Sequence, residues 1–513
     1  MTSYTHNLPA LFREVVAHSR DRKALIWSPT SAVTFAELDR LSDRAATFLR
    51  KHGVGRGDRI CLRLDKCTLS YSLIIACLKM GAAYFVVDPA NPAARTDHII
   101  RKCMPRLVFS AKESPMEIAG EDVFIVDKED QFRLLEEIPD GPCEPAYDIA
   151  GTDPAYIMFT SGSTGFPKGA VMSHANVMNL IAWSRVEFAV TADDVFTSVN
   201  PLYFDNSVFD LYASLFNGAS LAPFDAATIK DPYKILQQID DLGCTIYFSV
   251  PSLLIYFQTL KLITPKVFTH VRKIIFGGEG YPKTKLRELY ECFHPRIGLV
   301  NVYGPTECTC ICSAYDITGA DFGDLDGYPP LGSLIPNFSY VILNERDQSA
   351  AQGETGELCL FGPCVGLGYF NEGELTRKAF GQNPLNPSYD ERIYRTGDLV
   401  RLSPEDGKIY FAGRKDSQIK HQGYRIELGE IEHALGRVPG VDEAAVLHSS
   451  RDGISLIIAV VASGSGITPE IIRKEAARFL PAYMVPGRID VLDRLPKNAN
   501  GKIDRNLLKT RYC

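Results

Sequence analysis

Residues 160–169 read Thr-Ser-Gly-Ser-Thr-Gly-Phe-Pro-Lys-Gly. Gly162 and Gly165 permit positive φ and close backbone approach, so main-chain N–H groups can turn toward an anion. The hydroxyls of Thr160, Ser161, Ser163 and Thr164 add donors, and Lys168 adds a positive charge. This is the chemistry of a loop that grips polyphosphate. It is not a Walker A loop, because Lys168 precedes a glycine where that motif has Ser or Thr. A Ser/Thr/Gly-rich stretch alone is commonly a plain turn. The apolar run AYIMF before it and ten specified positions in order favour the phosphate reading. Cys308, Cys310 and Cys312 alternate as strand residues do. With no second group of ligand spacing nearby, strand packing rather than metal binding is expected there.

Such a loop needs elements to hold it. VTF (33–35) leads into AELDRLSDRAATFLRKH, whose apolar positions Leu38, Leu41, Ala45, Ala46, Phe48 and Leu49 predict an amphipathic helix closed by Gly53. RICLRL (59–64), AYFVVD (83–88), RLVFS (106–110) and DVFIVD (122–127) read as strands, and SYSLIIACLKMG as a helix. The pattern resumes with YIMF, DVFTSV, TIYFSV and KIIFGG. Alternating strands and helices argue for α/β architecture with mostly parallel sheets. Near residue 415 the texture changes to a compact α+β unit of about a hundred residues. That unit carries net +2 and the remainder net −9.

The whole chain has 513 residues, 45% of them apolar and 23% charged, which makes it globular and excludes wholesale disorder or coiled coil. Its net charge of −7 argues against nucleic acid or an anionic membrane as partner. No run approaches the ~20 apolar residues of a membrane span, and the start shows no secretory signal. Thirteen scattered cysteines then read as reduced thiols of a cytoplasmic protein.

TSGSTGFPKG resembles the phosphate loop of the adenylate-forming (ANL) superfamily. LKMGAAYFVVDPANPAAR (78–95), NVYGPTE (301–307), GELCLFGPCVGLGYF (356–370), YRTGDLV (394–400), GRKDSQIKHQGYRIELGEIE (413–432) and LPKNANGKIDR (495–505) resemble its other segments, in order. The resemblance runs from about residue 8 to 509. It is nearest to the stand-alone amino-acid adenylation domains of nonribosomal peptide synthetase type, including the d-alanyl carrier protein ligases. It implies a large domain, 1–415, of mostly parallel sheets flanked by helices plus a β-barrel-like part. A small mobile α+β domain, 416–513, would follow, with a hinge at Asp416.

The implied reaction is attack of a carboxylate on the α-phosphorus of ATP, with Mg²⁺ and release of pyrophosphate. By that resemblance the loop 160–165 with Lys168 would hold the β- and γ-phosphates. Tyr303 would stack on adenine, Thr306 would contact the α-phosphate and Glu307 would ligate the metal. Gly278 and Glu279 would line the adenine pocket. Asp398 would take the ribose hydroxyls, since a carboxylate accepts both hydrogen bonds, and Arg414 would help hold that region. Lys502 would bridge the substrate carboxylate and the α-phosphate as a point charge on a flexible stem. In a second orientation, the loop around Gly423 would approach the incoming thiol.

Asp205 stands where amino-acid-activating members place the carboxylate that meets the substrate α-ammonium. The other implied pocket positions are Asn206, Phe209, Ser249, Ile275, Gly277, Val302, Cys310 and Ile311, none of them charged. A charged substrate side chain would be left unpaired there, so a small to medium neutral amino acid is expected, with Gly277 leaving room. Only eleven residues follow Lys502, so the expected acceptor is a separate, phosphopantetheinylated carrier protein. CoA or an amine as acceptor, or a non-catalytic nucleotide-binding relative, remain alternatives at this point.

Overall fold

The computed structural model describes residues 5–112, 122–127, 129–143, 148–162, 165–451, 454–498 and 502–513. The expected amphipathic helix spans Phe35–Lys51. Thr34 caps it, accepting from the Glu37 N–H while the Glu37 carboxylate accepts from the Thr34 N–H. Its apolar stripe is buried, each large side chain stabilising the fold by roughly 1.5–3 kcal/mol. The helix Thr68–Met80 is buried along its whole length, as a helix apolar on every face must be.

Two large sheets are built from strands between Lys23 and Leu334, with Gly368–Tyr369 added to one of them. In one, the strands Lys23–Ser28, Ser220–Pro223, Val195–Ser198, Ile246–Ser249, Lys273–Gly277 and Gly298–Tyr303 lie side by side and parallel, with antiparallel strands at both edges. In the other, Pro154–Thr160, Ala83–Val86, Arg59–Arg63, Leu107–Ala111 and Asp122–Val126 run parallel, and Lys168–Ser173 joins Pro154–Thr160 antiparallel. A single apolar cluster joins the two sheets: Phe196, Phe209 and Phe248 from one side meet Tyr84, Tyr156 and Met158 from the other. The region expected to be barrel-like is a five-stranded antiparallel sheet formed within 339–414. Beyond Asp416 the strands pair only with one another, as a hairpin of Gln418–His421 with Tyr424–Glu427 and a three-stranded sheet. That part has its own core, around Ile426, Ile431, Val446 and Ile457. None of the thirteen cysteines is in a disulfide. Among the described residues no helix is long and apolar enough to cross a membrane.

Candidate active site

In parallel sheets, ligands collect beyond the carboxyl ends of the strands. Thr160, Ser249, Gly277 and Tyr303 are each the last residue of such a strand. The segment expected to grip phosphate lies between Pro154–Thr160 and Lys168–Ser173, whose antiparallel pairing sets Thr160 directly across from Lys168. The Thr160 hydroxyl is buried and has no hydrogen-bond partner among the described groups. The Ser161 hydroxyl donates to the Arg425 carbonyl at 2.7 Å and accepts from the Glu427 N–H at 3.1 Å. The Gly162 N–H donates to the Glu430 carboxylate at 3.2 Å. The expected donors Ser163 and Thr164 lie outside the described residues.

Beside the loop, Glu307 is fully buried. Its carboxylate accepts from the Tyr369 hydroxyl at 2.6 Å and from Arg425 at 2.5 Å, with the Lys168 ammonium 3.4 Å away. Burial alone would raise its pKa, but Arg425 and Lys168 outweigh it and hold the carboxyl well below the usual range. Burial in turn lowers the pKa of Lys168. Asp398 accepts from the Tyr303 hydroxyl at 2.6 Å and from Arg414 at 2.5 Å. Arg414 also grips Asp416 with two bonds of 2.7 Å, so the expected hinge residue is tied to the expected ribose site. Lys420 stands 5.8 Å from the centre of the Tyr303 ring. Glu279 accepts from the Ser252 N–H at 3.0 Å, at the start of the helix Pro251–Thr259.

At the other end of the same cavity are Asp205, Asn206, Val302, Cys310 and Ile311. The Thr306 hydroxyl donates to the Asp205 carboxylate at 2.5 Å. Burial pushes the Asp205 pKa up, and that hydrogen bond opposes the shift. Four expected pocket residues, Phe209, Ser249, Ile275 and Gly277, do not line this cavity. Phe209 is buried in an aromatic cluster, its ring 5.3 Å from Phe188 and 5.0 Å from Phe248, and Phe248 lines the cavity in its place. Ile275 is fully buried in the sheet. Gly277 leaves no room either: a Cβ there would lie 2.4 Å from the Val302 carbonyl oxygen, so Val302 fills the space. Ser249 donates to the Val250 carbonyl at 3.2 Å and faces a neighbouring cavity. The cysteine run is also not a strand. Thr306–Cys308 is a short 3-10 turn, and Thr309 and Cys310 have φ of 62° and 72°. Gly304-Pro305 breaks the strand, and the chain folds back so tightly that a Cβ on Gly304 would lie 2.3 Å from the Cys310 carbonyl oxygen.

Lys502 is exposed and does not line the cavity. Its N–H donates to the Asn498 side chain at 3.1 Å. In this orientation the small C-terminal part instead presents the hairpin 418–427, and Lys420 and Arg425 supply the positive charge. The cavity between them is about 80 Å³. A second, about 610 Å³, opens beside it and shares Phe204, Asn206, Gly423 and Tyr424 with the first. Arg425 and Tyr369 lay inside quoted motifs without a role. Only their contact with Glu307 reveals one.

The profile of the AMP-binding enzyme family matches residues 12–370, and that of its C-terminal domain matches 430–502. Surfactin synthase subunit 3 of Bacillus subtilis (strain 168) is 36% identical over 98% of this chain, which spans only 39% of that protein's length. The L-proline--[L-prolyl-carrier protein] ligase of Streptomyces coelicolor is 32% identical over 98% of this chain and 96% of its own. A solved NRPS protein containing adenylation and PCP domains, bound to a vinylsulfonamide inhibitor, superposes with a TM-score of 0.84 at 28% identity, covering 99% of this chain and 85% of the other. Strand-end placement, ordered motifs and both matched parts agree: the chain belongs to the AMP-binding enzyme family of adenylate-forming ligases.

Proposed function

We propose that this ligase activates a small to medium neutral amino acid as aminoacyl-AMP and passes the acyl group to the phosphopantetheine thiol of a separate carrier protein. The observation that carries this reading is Asp205. It is the charged side chain at a cavity end otherwise walled by Met158, Phe248, Val302, Cys310 and Ile311, with Asn206 beside it. A substrate ammonium needs such a partner out of water, and a charged substrate side chain would find none.

In the first step, Thr160, Ser161, Gly162 and Lys168 hold the outer phosphates. The orphaned Thr160 hydroxyl and the ammonium of Lys168 suit that anion. Glu307 offers an ionised, hard oxygen that fits a magnesium ion. Glu307 is the residue that would hold the ion, and the rest of its coordination would have to come from groups other than protein carboxylates, as is usual for magnesium. When bound, the ion neutralises charge on the departing pyrophosphate. Arg425 must leave Glu307 for this. The exposed Lys502 must come in to screen the two anions, which requires the part beyond Asp416, read as domain 416–513 against 1–415, to turn about that residue. Asp398 holds the ribose, and Thr306 bonds the α-phosphate.

In the second step the orientation described above suits attack by a thiol. Gly423 and Tyr424 border both cavities, and the larger has the volume of a ligand pocket (~300–1,000 Å³). The carrier ligase relative supports a carrier protein as acceptor. Pyrophosphate exchange across l-, d- and β-amino acids, followed by thioester assays with CoA and candidate holo-carriers, tests both halves. Exchange with neutral amino acids alone is expected. Silence across the panel, or exchange only with acids that lack an amine, overturns the reading.

A further inference from the structure

The short bond from the Thr306 hydroxyl to Asp205 joins the two ends of the cavity. A threonine hydroxyl has a single proton to donate. Without ligands, that proton goes to the carboxylate read above as the ammonium partner. The same hydroxyl is the one read as bonding the α-phosphate. It cannot donate to both oxygens at once. An arriving ammonium brings three N–H donors to Asp205 and can replace the hydroxyl there, leaving the threonine proton for the phosphate.

We infer that Thr306 is a one-proton relay that makes amino-acid binding and nucleotide binding assist each other: Asp205 holds the Thr306 proton away from the phosphate site until a substrate ammonium displaces it. This rests on the functional reading above and adds a coupling between its two subsites. By linkage the assistance is mutual, each ligand tightening the other by the same factor.

The test needs only AMP as probe, titrated calorimetrically into the full chain and its variants. Asp205→Ala removes the acceptor, so the Thr306 proton is free. AMP is expected to bind roughly ten-fold more tightly, the scale of a hydrogen bond to a charged group. Asp205→Asn removes the charge but keeps an acceptor oxygen and should stay within about two-fold of wild type on the same scale. Thr306→Val, which removes the proton itself, serves as the background in which nothing is left to release. In the Thr306→Val background, Asp205→Ala should then change little, and the departure from additivity measures the relay. Asp205→Leu, which also lacks an acceptor, completes the cycle if the alanine variant does not fold. Equal tightening by Asp205→Ala in both backgrounds, or tightening by Asp205→Asn as large as by Asp205→Ala, means plain charge repulsion and overturns the relay. If no variant binds AMP, the functional reading itself falls. That outcome is distinct from AMP binding with additive effects.

Discussion

Where the nucleotide is proposed to sit, Asp398 on the cavity wall and the fully buried Glu307 are each gripped by a tyrosine hydroxyl and an arginine within 2.6 Å. Where the amino acid is proposed to sit, Asp205 is met by the Thr306 hydroxyl, and apart from Asn206 the wall described around it is carbon and sulfur. The first end works by placing charge, and its energetics are those of buried ions that need partners. The second works by shape and by what it leaves unpaired, so its discrimination comes in steps of about 1–3 kcal/mol per methylene. On the proposed reading, reaction chemistry is therefore concentrated at one end and substrate choice at the other.

The sharpest break in this picture concerns Lys502. On the proposed reading it belongs to the charged end, yet it lies exposed outside the cavity here. Lys502→Ala is expected to lower pyrophosphate exchange on the order of 10²–10³-fold, the scale of one preorganised electrostatic contact. Thioester formation from supplied aminoacyl-adenylate should change only a few-fold, because in the orientation seen here the lysine is already absent. Equal loss in both half-reactions would place Lys502 in a general structural role.

Glu307 tests the charged end from inside. Glu307→Gln leaves Arg425 and Lys168 facing each other without a counter-charge, at a cost of about 3 kcal/mol or more in stability. The pH dependence follows from the sign of the shift. The folded carboxyl titrates below its unfolded value of about 4.3, so its contribution is complete above that pH and is lost as pH falls through the folded value. Urea midpoints of wild type and variant should therefore differ widely at pH 7 and converge as the pH drops below 4. Equal midpoints at pH 7 would mean the cluster contributes nothing to stability.

The two ends also differ in how much of them could be read from sequence. The charged end is written in contiguous motifs, so Thr160, Lys168, Tyr303, Glu307 and Asp398 could be placed by order alone; Thr160, Lys168 and Tyr303 sit at strand ends, Glu307 in the turn Thr306–Cys308 and Asp398 within the strand Arg392–Leu402. Its hidden members, Arg425 and Tyr369, come from distant segments and are recognisable only through their contact with Glu307. The elements themselves were legible where periodicity was strong, as in Phe35–Lys51. The cysteine run was not, because alternation cannot show the strand ending before Gly304-Pro305 or the positive φ of Thr309 and Cys310. At the amino-acid end, alignment gives positions but not directions. Val302, Cys310 and Ile311 face the cavity, while Phe209, Ile275 and Gly277 do not, and that outcome is settled by packing partners spread over the chain.

Gly277 sharpens this point with an intermediate effect. A methyl group at that position would press on the Val302 carbonyl at 2.4 Å. Gly277→Ala should cost about 1–3 kcal/mol by overpacking. Because Val302 must shift and it lines the cavity, the variant should also alter the ranking of amino acids in the exchange panel. Destabilisation with an unchanged ranking would confine Gly277 to strand packing.

Phe209 should give the smallest effect on substrate choice and is for that reason the most informative about where the pocket ends. Its ring lies edge-on to Phe188 and Phe248, inside the core rather than on the cavity wall. Phe209→Leu should cost about 1–2 kcal/mol from lost volume and ring contacts, while the amino-acid ranking stays that of wild type. Phe248, by contrast, reaches both this cluster and the cavity, so Phe248→Leu should pair a similar loss of stability with a changed ranking. If the two variants behaved alike toward substrates, the boundary drawn between Phe209 and Phe248 would be wrong, and the amino-acid end would extend one layer deeper into the core.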